Sequence, residues 1–508
     1  MKMAKFISFW VGFCSLSLEI AWVRLYGFAN ASTPKAFAFV LMIYLIGIAF
    51  GAQVGKLICK LPRREKIEFW AVFVLIISVP IIISAPNIYH YSSVNALDQV
   101  MAPLAIFITA AALSVLFPIT HHLGTSQGDS SKGKSFSKVY FLNVIGAALG
   151  PLVTGYILFE NFSISQIFPI FGLVLGGVAL ISLFLVDTKK SFLLLSLNFL
   201  AIAFGLNSLI NTNENKDKLT KSFSIVGDAK IISVKENRHG IITITEDVLS
   251  DKSIDHTVYG GNVYDGKVNV DLERNTNGLE RPLALHVLQP KAKRALVLGL
   301  SIGSWLAVVE GFPGIEEIDV IEINSGYLDL AKNYEAQNRA ISDKKVNIVV
   351  DDARRWLNYN SHLKYDLILM NTTWHWRANS SMLLSQEMMK IVNRHLNVDG
   401  VVAFNATGSI DAFYTASTVF KEVRRYQNFI YGSNWNSFDK MSNEKVWNAL
   451  HNVKVNGLPG FSENTLKIKQ FSSIPFVHLS EDVKKIKRLP ELITDNNMLV
   501  EYKYGRDF

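Results

Sequence analysis

The sequence of 508 residues contains only two cysteines, Cys14 and Cys59. Two are too few for a disulfide framework or for a zinc site made of cysteine ligands, so we expect no metal ion. The chain also has little excess charge outside its first half. Residues 1–210 hold 14 Lys and Arg against 7 Asp and Glu, whereas the remainder holds 37 against 36. Nucleic-acid binding needs a concentrated basic surface, so we expect no nucleic-acid partner.

Long apolar runs dominate the first half of the chain. Runs of roughly 20 residues can cross the hydrocarbon of a bilayer, which is about 30 Å thick. We identify seven, at about 6–27, 37–58, 67–87, 100–120, 139–159, 164–186 and 191–210. The first run lacks a clear small-residue cleavage site and more runs follow it, so it reads as a retained helix and not as a signal peptide. Residues 1–210 are therefore predicted to form a multi-pass α-helical membrane domain.

The positions of Lys and Arg predict the orientation of this domain. Basic residues precede the first run, follow the second, precede the fifth and separate the sixth from the seventh; examples are Lys2, Arg63, Lys138 and Lys189. Loops rich in Lys and Arg stay on the cytoplasmic side. The amino terminus is then cytoplasmic, and seven spans place the second half outside a bacterial inner membrane, in the periplasm.

The first apolar run contains two charged residues, Glu19 and Arg24. Charges inside a membrane segment are costly and mark functional candidates. One interpretation is a polar, substrate-binding site that faces the soluble half. The other is that Arg24 reaches the interface and Glu19 pairs with a neighbouring helix.

The second half alternates strands and helices. A polar stretch, 211–221, suggests a linker, and short β-type runs suggest a β-rich subdomain at 222–285. Apolar strands then begin near 294, 316, 345, 365 and 400, with helical segments between them. This pattern predicts a Rossmann-like parallel sheet over 286–508 with helices on both faces. Ligands of such sheets lie beyond the carboxyl ends of the strands, so Gly299, Glu322, Asp352 and Asn371 should converge there.

These strand ends suggest a nucleotide site. Gly299 and Gly303 would let the backbone approach a ligand closely. Glu322, at the end of the second strand, is suited to accept hydrogen bonds from a ribose diol. After the fourth strand, Trp374 and Trp376 flank His375, and aromatic faces attract ammonium groups. The alternatives are a doubly wound sheet without a nucleotide and tryptophans that merely pack or touch the bilayer interface.

Several stretches resemble a known family. In the second half these are "RALVLGLSIGS", "IDVIEIN", "VVDDARRWL" and "HWRANSSMLLSQEMMKIVNRHLNVDGVVAFN"; in the first half, "LEIAWVRLYGF" and "VYFLNVIGAALGPLVTGYIL". They are similar to the membrane-fused branch of the spermidine synthase-like (polyamine aminopropyltransferase-like) proteins, which have the class I methyltransferase fold. The resemblance implies a donor, S-adenosylmethionine or its decarboxylated form. It also implies that Gly299, Ser301 and Gly303 line the donor, that Glu322 holds its ribose and that Asp352 meets its adenine. Soluble relatives are often oligomers, so a homodimer is possible.

The sequence departs from that family at its catalytic acids. Ser301 stands where the family's turn has a third glycine, and Ile302 where aminopropyltransferases have an Asp. The fourth strand ends in Asn371 instead of an Asp that helps to take a proton from the attacking amine. An amide cannot accept that proton, although its carbonyl can orient an amine. His375 is the nearby side chain with a suitable unperturbed pKa of about 6.5. It is either a base or a histidine packed between its tryptophan neighbours.

Three functions therefore stay open. The first is a membrane-bound transferase that acts on an amine-bearing substrate with altered catalytic residues. The second is a repurposed periplasmic protein that does not use S-adenosylmethionine and binds or modifies a lipid headgroup, a polyamine or an exported protein. The third is a transporter or receptor, which the absence of a visible internal repeat disfavours.

Overall fold

The computed structural model describes residues 2–94, 98–125, 132–185, 191–226, 229–372, 374–436, 438, 443–461, 468, 473 and 475–504. The predicted cytoplasmic loop with Lys189 and Lys190 lies outside these residues. The chain forms two compact units. The first comprises Met1–Asn30, Lys35–Gly227 and Glu236–Ile241, and the second comprises Ala31–Pro34, Asp228–Lys235 and Ile242–Phe508.

The first unit is a bundle of helices. In chain order they are α1 Lys2–Ala29, α2 Pro34–Ile58, α3 Arg64–Val94, α4 Asp98–Ser114, α5 Leu116–Gly124, α6 Lys132–Val153, α7 Phe159–Asn161, α8 Ile164–Phe184, α9 Ser191–Glu214 and α10 Lys218–Ser222, with a π-helical turn at Thr154–Leu158 between α6 and α7. Among the described residues, seven helices are long and apolar enough to cross a membrane, the number that the apolar runs predict. They are Lys2–Ala29, Pro34–Ile58, Arg64–His90, Val100–Gly124, Gly133–Asn161, Ile164–Phe184 and Phe192–Glu214.

Glycines let these helices approach each other closely. A side chain at Gly51 of α2 would overlap the carbonyl oxygen of Ala111 in α4, and one at Gly146 of α6 would overlap that of Phe9 in α1. Small residues at such contacts are typical of membrane helix packing. The stretch 211–221, expected to be a linker, is largely helical, because α9 continues to Glu214 and α10 begins at Lys218.

The second unit contains a four-stranded and a seven-stranded sheet. The first sheet has the order β1-β2-β3-β4, from β1 Lys230–Asn237, β2 Gly240–Val248, β3 Ile254–Gly260 and β4 Val263–Lys267. The second has the order β10-β11-β9-β8-β5-β6-β7, from β5 Arg294–Leu298, β6 Glu317–Glu322, β7 Val346–Val350, β8 Tyr365–Met370, β9 Leu396–Asn405, β10 Glu422–Tyr426 and β11 Phe429–Ser433. A small hairpin joins β12 Lys454–Val455 to β13 Leu458–Pro459.

Helices cover the seven-stranded sheet. They are α11 Glu280–Leu288, α12 Ser304–Glu310, α13 Ser325–Ala331, α14 Glu335–Ile341, α15 Ala353–Tyr359, α16 Ser381–Leu384, α17 Gln386–His395, α18 Ile410–Ser417, α19 Asn443–Leu450, α20 Leu479–Val483 and α21 Leu499–Tyr502. Alternate residues of each strand enter separate cores: Val297 packs in one and Leu298 in the other. This is a Rossmann-like fold. Helix α11 crosses the boundary expected at 285/286 because its leucines pack into the same core as Val297.

The seven-stranded sheet is mixed, whereas the strand–helix alternation predicted a parallel one. Strands β5 to β9 pair in parallel, but β11 pairs antiparallel with β9 and β10 antiparallel with β11. Strands β10 and β11 were not predicted: β10 carries charged residues, and β11 is only five residues long. The parallel part carries the site, since its carboxyl ends lie at one edge: Leu298 pairs with both Ile321 and Met370.

Candidate functional site

Two cavities open at the carboxyl ends of the parallel strands. The strand-end cavity has a volume of about 370 Å³ and is lined by the ends of β5 to β8, including Gly299, Glu322, Asp352 and Asn371. Its size lies within the range of about 300–1,000 Å³ that is typical of small-molecule sites. The structure therefore brings together the four strand-end residues that the sequence singled out.

The second cavity, here the amide-lined cavity, has a volume of about 620 Å³. Amide side chains form much of its surface: Asn277, Asn371, Asn405, Gln427 and Asn428. Both cavities are lined by the same four residues, Asp265, Ser301, Asn371 and Thr372, which we call the shared wall. Two ligands, one in each cavity, would therefore meet at this wall.

Glu322 ends β6 and is buried, with only 4% of its surface exposed. One carboxylate oxygen accepts the backbone N–H of Leu300 at 2.7 Å and the other that of Asn324 at 2.8 Å. Burial raises the pKa of Glu322 to about 7, although these hydrogen bonds favour the charged form. Its oxygens keep further lone pairs, so a ribose diol in the strand-end cavity fits this carboxylate.

The turn between β5 and α12 is built from left-handed backbone. Gly299 has φ of 87° and Gly303 has φ of 90°. Ser301 has φ of 49°, a conformation that costs a residue with a Cβ atom about 1–2 kcal/mol. Gly299 and Ser301 line the strand-end cavity, whereas Gly303 lines neither cavity and caps α12. Ile302, which stands where an acid was expected, is buried in an apolar cluster with Ile244.

Asp352 is the N-cap of α15, and its side chain accepts the backbone N–H of Arg355 at 2.7 Å. It is exposed and lines the strand-end cavity next to Asp351. Each oxygen of a carboxylate can accept more than one hydrogen bond. Asp352 can therefore cap the helix and still accept a hydrogen bond from an amino group of a ligand.

Asn371 follows β8 and faces both cavities. Its backbone is fixed, because its N–H donates to Leu298 O at 2.9 Å and its carbonyl oxygen lies against Gly299. Within the described residues, its side-chain amide has no hydrogen-bond partner. The amide is thus available to a ligand at the shared wall.

Of the three residues Trp374, His375 and Trp376, which follow β8, only Trp374 lines a cavity. Trp374 lines the amide-lined cavity, and its Nε1 donates to Tyr264 O at 2.9 Å. Trp376 lines neither cavity; it packs with Ala31 and Val263. His375 also lines neither cavity, and its Nδ1 lies 2.6 Å from Thr407 Oγ1. Burial lowers the pKa of His375, which keeps its ring neutral.

Glu19 and Arg24 belong to the first unit and line neither cavity. Arg24 donates to the carbonyl oxygens of Asn237 at 2.7 Å and Gly240 at 3.2 Å and lies 3.9 Å from Glu236. These are structural bonds that use the guanidinium inside the first unit. Their role in substrate binding stays a prediction.

Asp265 is the carboxylate that the sequence analysis missed. It lies in β4 and belongs to the shared wall with Asn371. The Tyr327 hydroxyl donates a hydrogen bond to it, and the charge of Arg377 also favours its ionised form. Burial nevertheless outweighs both and raises the pKa of Asp265. A carboxylate with a raised pKa in a cleft is a candidate general base. The shared wall therefore contains a carboxylate as well as the amide of Asn371.

The described residues contain no group of three or more His, Cys, Asp or Glu that could hold a metal ion. The shared wall itself offers a carboxylate, an amide and two hydroxyls. This set can accept a proton and orient a nitrogen nucleophile.

Part of this chain is similar to known proteins. Residues 282–431 match the model of the spermine/spermidine synthase domain family. This match confirms, for residues 282–431, the resemblance to spermidine synthase-like proteins noted in the sequence.

Two similar relatives are named polyamine aminopropyltransferases. The polyamine aminopropyltransferase of Saccharolobus solfataricus is 28% identical over 180 residues, which are 34% of this chain and 59% of that protein. The chain thus matches about three fifths of its length. The polyamine aminopropyltransferase of Oceanobacillus iheyensis is 22% identical over 420 residues, which are 79% of this chain and 77% of that protein.

Solved structures give weaker likenesses. A spermidine synthase in complex with the transition-state analogue AdoDATO is 17% identical, with a TM-score of 0.39 over 50% of this chain and 87% of that one. The spermidine synthase of Thermotoga maritima is also 17% identical, with a TM-score of 0.37 over the same shares.

Proposed function

We propose that this protein is a membrane-bound transferase that moves an alkyl group from a sulfonium nucleotide to the nitrogen of an amine-bearing substrate. The observation that carries the proposal is the shared wall. The strand-end cavity supplies Glu322 for the nucleotide, and the amide-lined cavity is a separate space for an acceptor. A reaction between two bound molecules needs such adjacent sites, because holding the reactants together removes much of the entropic barrier.

Asp265 is the proton acceptor in this proposal. The amine nitrogen forms a bond to the carbon beside the sulfonium as the carbon–sulfur bond breaks. The bonding electrons leave with the thioether, and the proton of the nitrogen passes to the Asp265 carboxylate. Asn371 orients the nitrogen through its side-chain carbonyl. In this proposal the catalytic base lies in β4 and not at the end of β8.

Calorimetry with S-adenosylmethionine and its decarboxylated form tests donor binding on the full chain in detergent. We expect saturable heat with one of them and at least about a tenfold loss of affinity in Glu322→Gln, since a hydrogen bond to a charged group is worth about 1.5–3 kcal/mol. The control is Glu317→Gln, which removes an exposed acid from the other end of β6. No heat with either donor at millimolar concentration would reject the proposal.

A second candidate follows from the predicted orientation. Donors made in the cytosol would not reach a periplasmic cleft, and the seven apolar helices, with their loop charges, favour a periplasmic second half. In that case the domain would bind or modify a lipid headgroup, a polyamine or an exported protein without a sulfonium donor. Alkaline phosphatase fused after residue 215 distinguishes the two: an active fusion supports the periplasmic function, and an inactive fusion supports the cytosolic transferase.

A further inference from the structure

The charged residues of the amide-lined cavity are few: Asp265, Lys267 and Arg281. Lys267 is neutralised by its surroundings, because its Nζ lies 3.4 Å from Asp255 and 3.8 Å from Asp247. Asp265 lies at the shared wall. The charge that remains for a ligand away from that wall is therefore the guanidinium of Arg281.

Arg281 has no carboxylate partner in the part of the chain that the structure describes. Its Nε is buried and makes no hydrogen bond there. The guanidinium carbon lies 6.0 Å from the ring centre of Trp305 and 5.8 Å from that of Phe429. The aromatic rings fix the position of the guanidinium, but they cannot accept the hydrogen bonds of its N–H groups as an anion would.

Arg281 is half-buried, and its buried Nε is an unused donor. Such a guanidinium is suited to a carboxylate or a phosphate, which it can bind through two parallel hydrogen bonds. The same cavity holds an acceptor for a cation. Asn428 Oδ1 is buried without a hydrogen-bond partner among the described residues, and Asp265 lies at the shared wall. The cavity thus offers acceptors for an ammonium group and, separately, a donor for an anion.

We infer that the amide-lined cavity binds a primary amine that also carries an anionic group, with the anion on Arg281 and the amine at Asp265 and Asn371. This inference rests on the proposed transferase and names the class of its acceptor. A diamine would place its second ammonium group in the cavity with Arg281, where like charges repel. The anionic group is a carboxylate or a phosphate, either of a small molecule or of a lipid headgroup.

Matched acceptors test the inference on the full chain in detergent. 4-Aminobutyrate and 1,4-diaminobutane have the same amine and the same four-carbon length, and they differ in the group at the far end. With decarboxylated S-adenosylmethionine as donor and mass spectrometry of the products, we expect kcat/KM for 4-aminobutyrate to exceed that for the diamine by about tenfold or more. Arg281→Gln should abolish this preference.

The control variant is Arg274→Gln. Arg274 is exposed, pairs with Asp251 at 3.7 Å and does not line the cavity, so its loss should leave the preference unchanged. Preference for the diamine in the unaltered protein, or an unchanged preference in Arg281→Gln, would overturn the inference. Phosphatidylethanolamine in nanodiscs, compared with free phosphoethanolamine, shows whether the lipid or the small molecule is the source of the anion.

A binding measurement separates this inference from the proposed transfer reaction. Trp305 lies beside Arg281, so its fluorescence should report an acceptor without any donor. Saturable quenching by 4-aminobutyrate or phosphoethanolamine that is lost in Arg281→Gln supports the anion site even where no donor binds. Equal quenching in both proteins contradicts it, whatever the result with the donor.

Discussion

The hydroxyl group of Tyr327 in α13 donates a hydrogen bond to the carboxylate of Asp265 in β4. This bond joins a helix of the Rossmann-like sheet to a strand of the four-stranded sheet. It fixes the carboxylate at the shared wall, where burial raises its pKa. A base held in this way is ready to accept a proton without first having to be positioned.

Replacing Asp265 with Asn should remove the proton acceptor. We expect kcat to fall by about 10²–10⁴-fold, the usual contribution of a general base. Since the folded pKa of Asp265 lies above its ordinary value near 3.8, the activity of the unaltered protein should fall when the pH drops through that raised pKa. The measurement is kcat/KM as a function of pH.

His375→Gln is the comparison for that experiment. His375 lines neither cavity, so its replacement should change kcat by less than about tenfold. A large loss in His375→Gln together with a small one in Asp265→Asn would make the histidine the base and contradict our assignment.

Asn371 and Asp265 share the same wall, which predicts a rescue. Asn371→Asp in the Asp265→Asn background should restore a carboxylate to the wall, and we expect kcat to recover by about tenfold or more over the single variant. In the unaltered background, the added acid should raise the pKa of Asp265 further by repulsion between like charges. Asn371→Ala in the same Asp265→Asn background is the control and should give no recovery.

Donor binding should depend on the ionisation of Glu322. Its pKa is about 7, and an ionised carboxylate accepts hydrogen bonds from a diol better than a neutral one. The affinity measured by calorimetry should therefore rise between pH 6 and pH 8. Asp265 helps to raise this pKa through its charge, so Asp265→Asn should move the midpoint to lower pH. An affinity that is flat across this range in both proteins would contradict the assignment.

The same carboxylate predicts how stability depends on pH. Its pKa rises from an ordinary value of 4.5 to about 7 on folding, so the folded state holds its proton more tightly. The stabilisation is fully present below pH 4.5 and is lost as the pH rises to about 7, by at most about 3 kcal/mol. Thermal unfolding should show this slope in the unaltered protein and a smaller one in Glu322→Gln.

Ser301 should be strained. Ser301→Gly and Ser301→Ala both remove the hydroxyl, which donates to Asp265 O at 3.3 Å, but only Gly removes the Cβ atom at φ of 49°. We expect the Gly variant to be more stable than the Ala variant by about 0.5–1 kcal/mol, after the entropy of Gly in the unfolded chain is subtracted. The order should reverse at Ser325, in the first turn of α13, where Ala favours the helix.

The sequence predicted the parts of the fold that are marked by continuous apolar runs. The apolar runs of the first half and the strands that end at Gly299, Glu322 and Asn371 are visible because burial on both sides makes them continuously apolar. Strand β10 was not predicted because it carries charged residues such as Arg424 and Arg425, and β11 because a mostly apolar run of five residues is too short to identify a strand.

The candidate site was harder to predict than the fold. Asp265 is separated from Asn371 by more than a hundred positions. It lies in a short strand whose sequence resembles that of an ordinary β-hairpin. A signal did exist: Asp265 stands beside a glycine, Gly266, whose φ is 140°. The packing of two sheets decides which acidic residue lines a cavity. The spacing of apolar residues within one strand does not show how the sheets pack.

The position of the base has a consequence for how such proteins diversify. In the proposed function, the nucleotide is bound by residues between β5 and β8, whereas the proposed base, Asp265, comes from β4, before that stretch begins. Mutation of one strand edge could therefore switch the chemistry on or off while the pocket for the nucleotide keeps its shape. The absence of an acidic residue after β8 therefore does not show that such a protein is inactive.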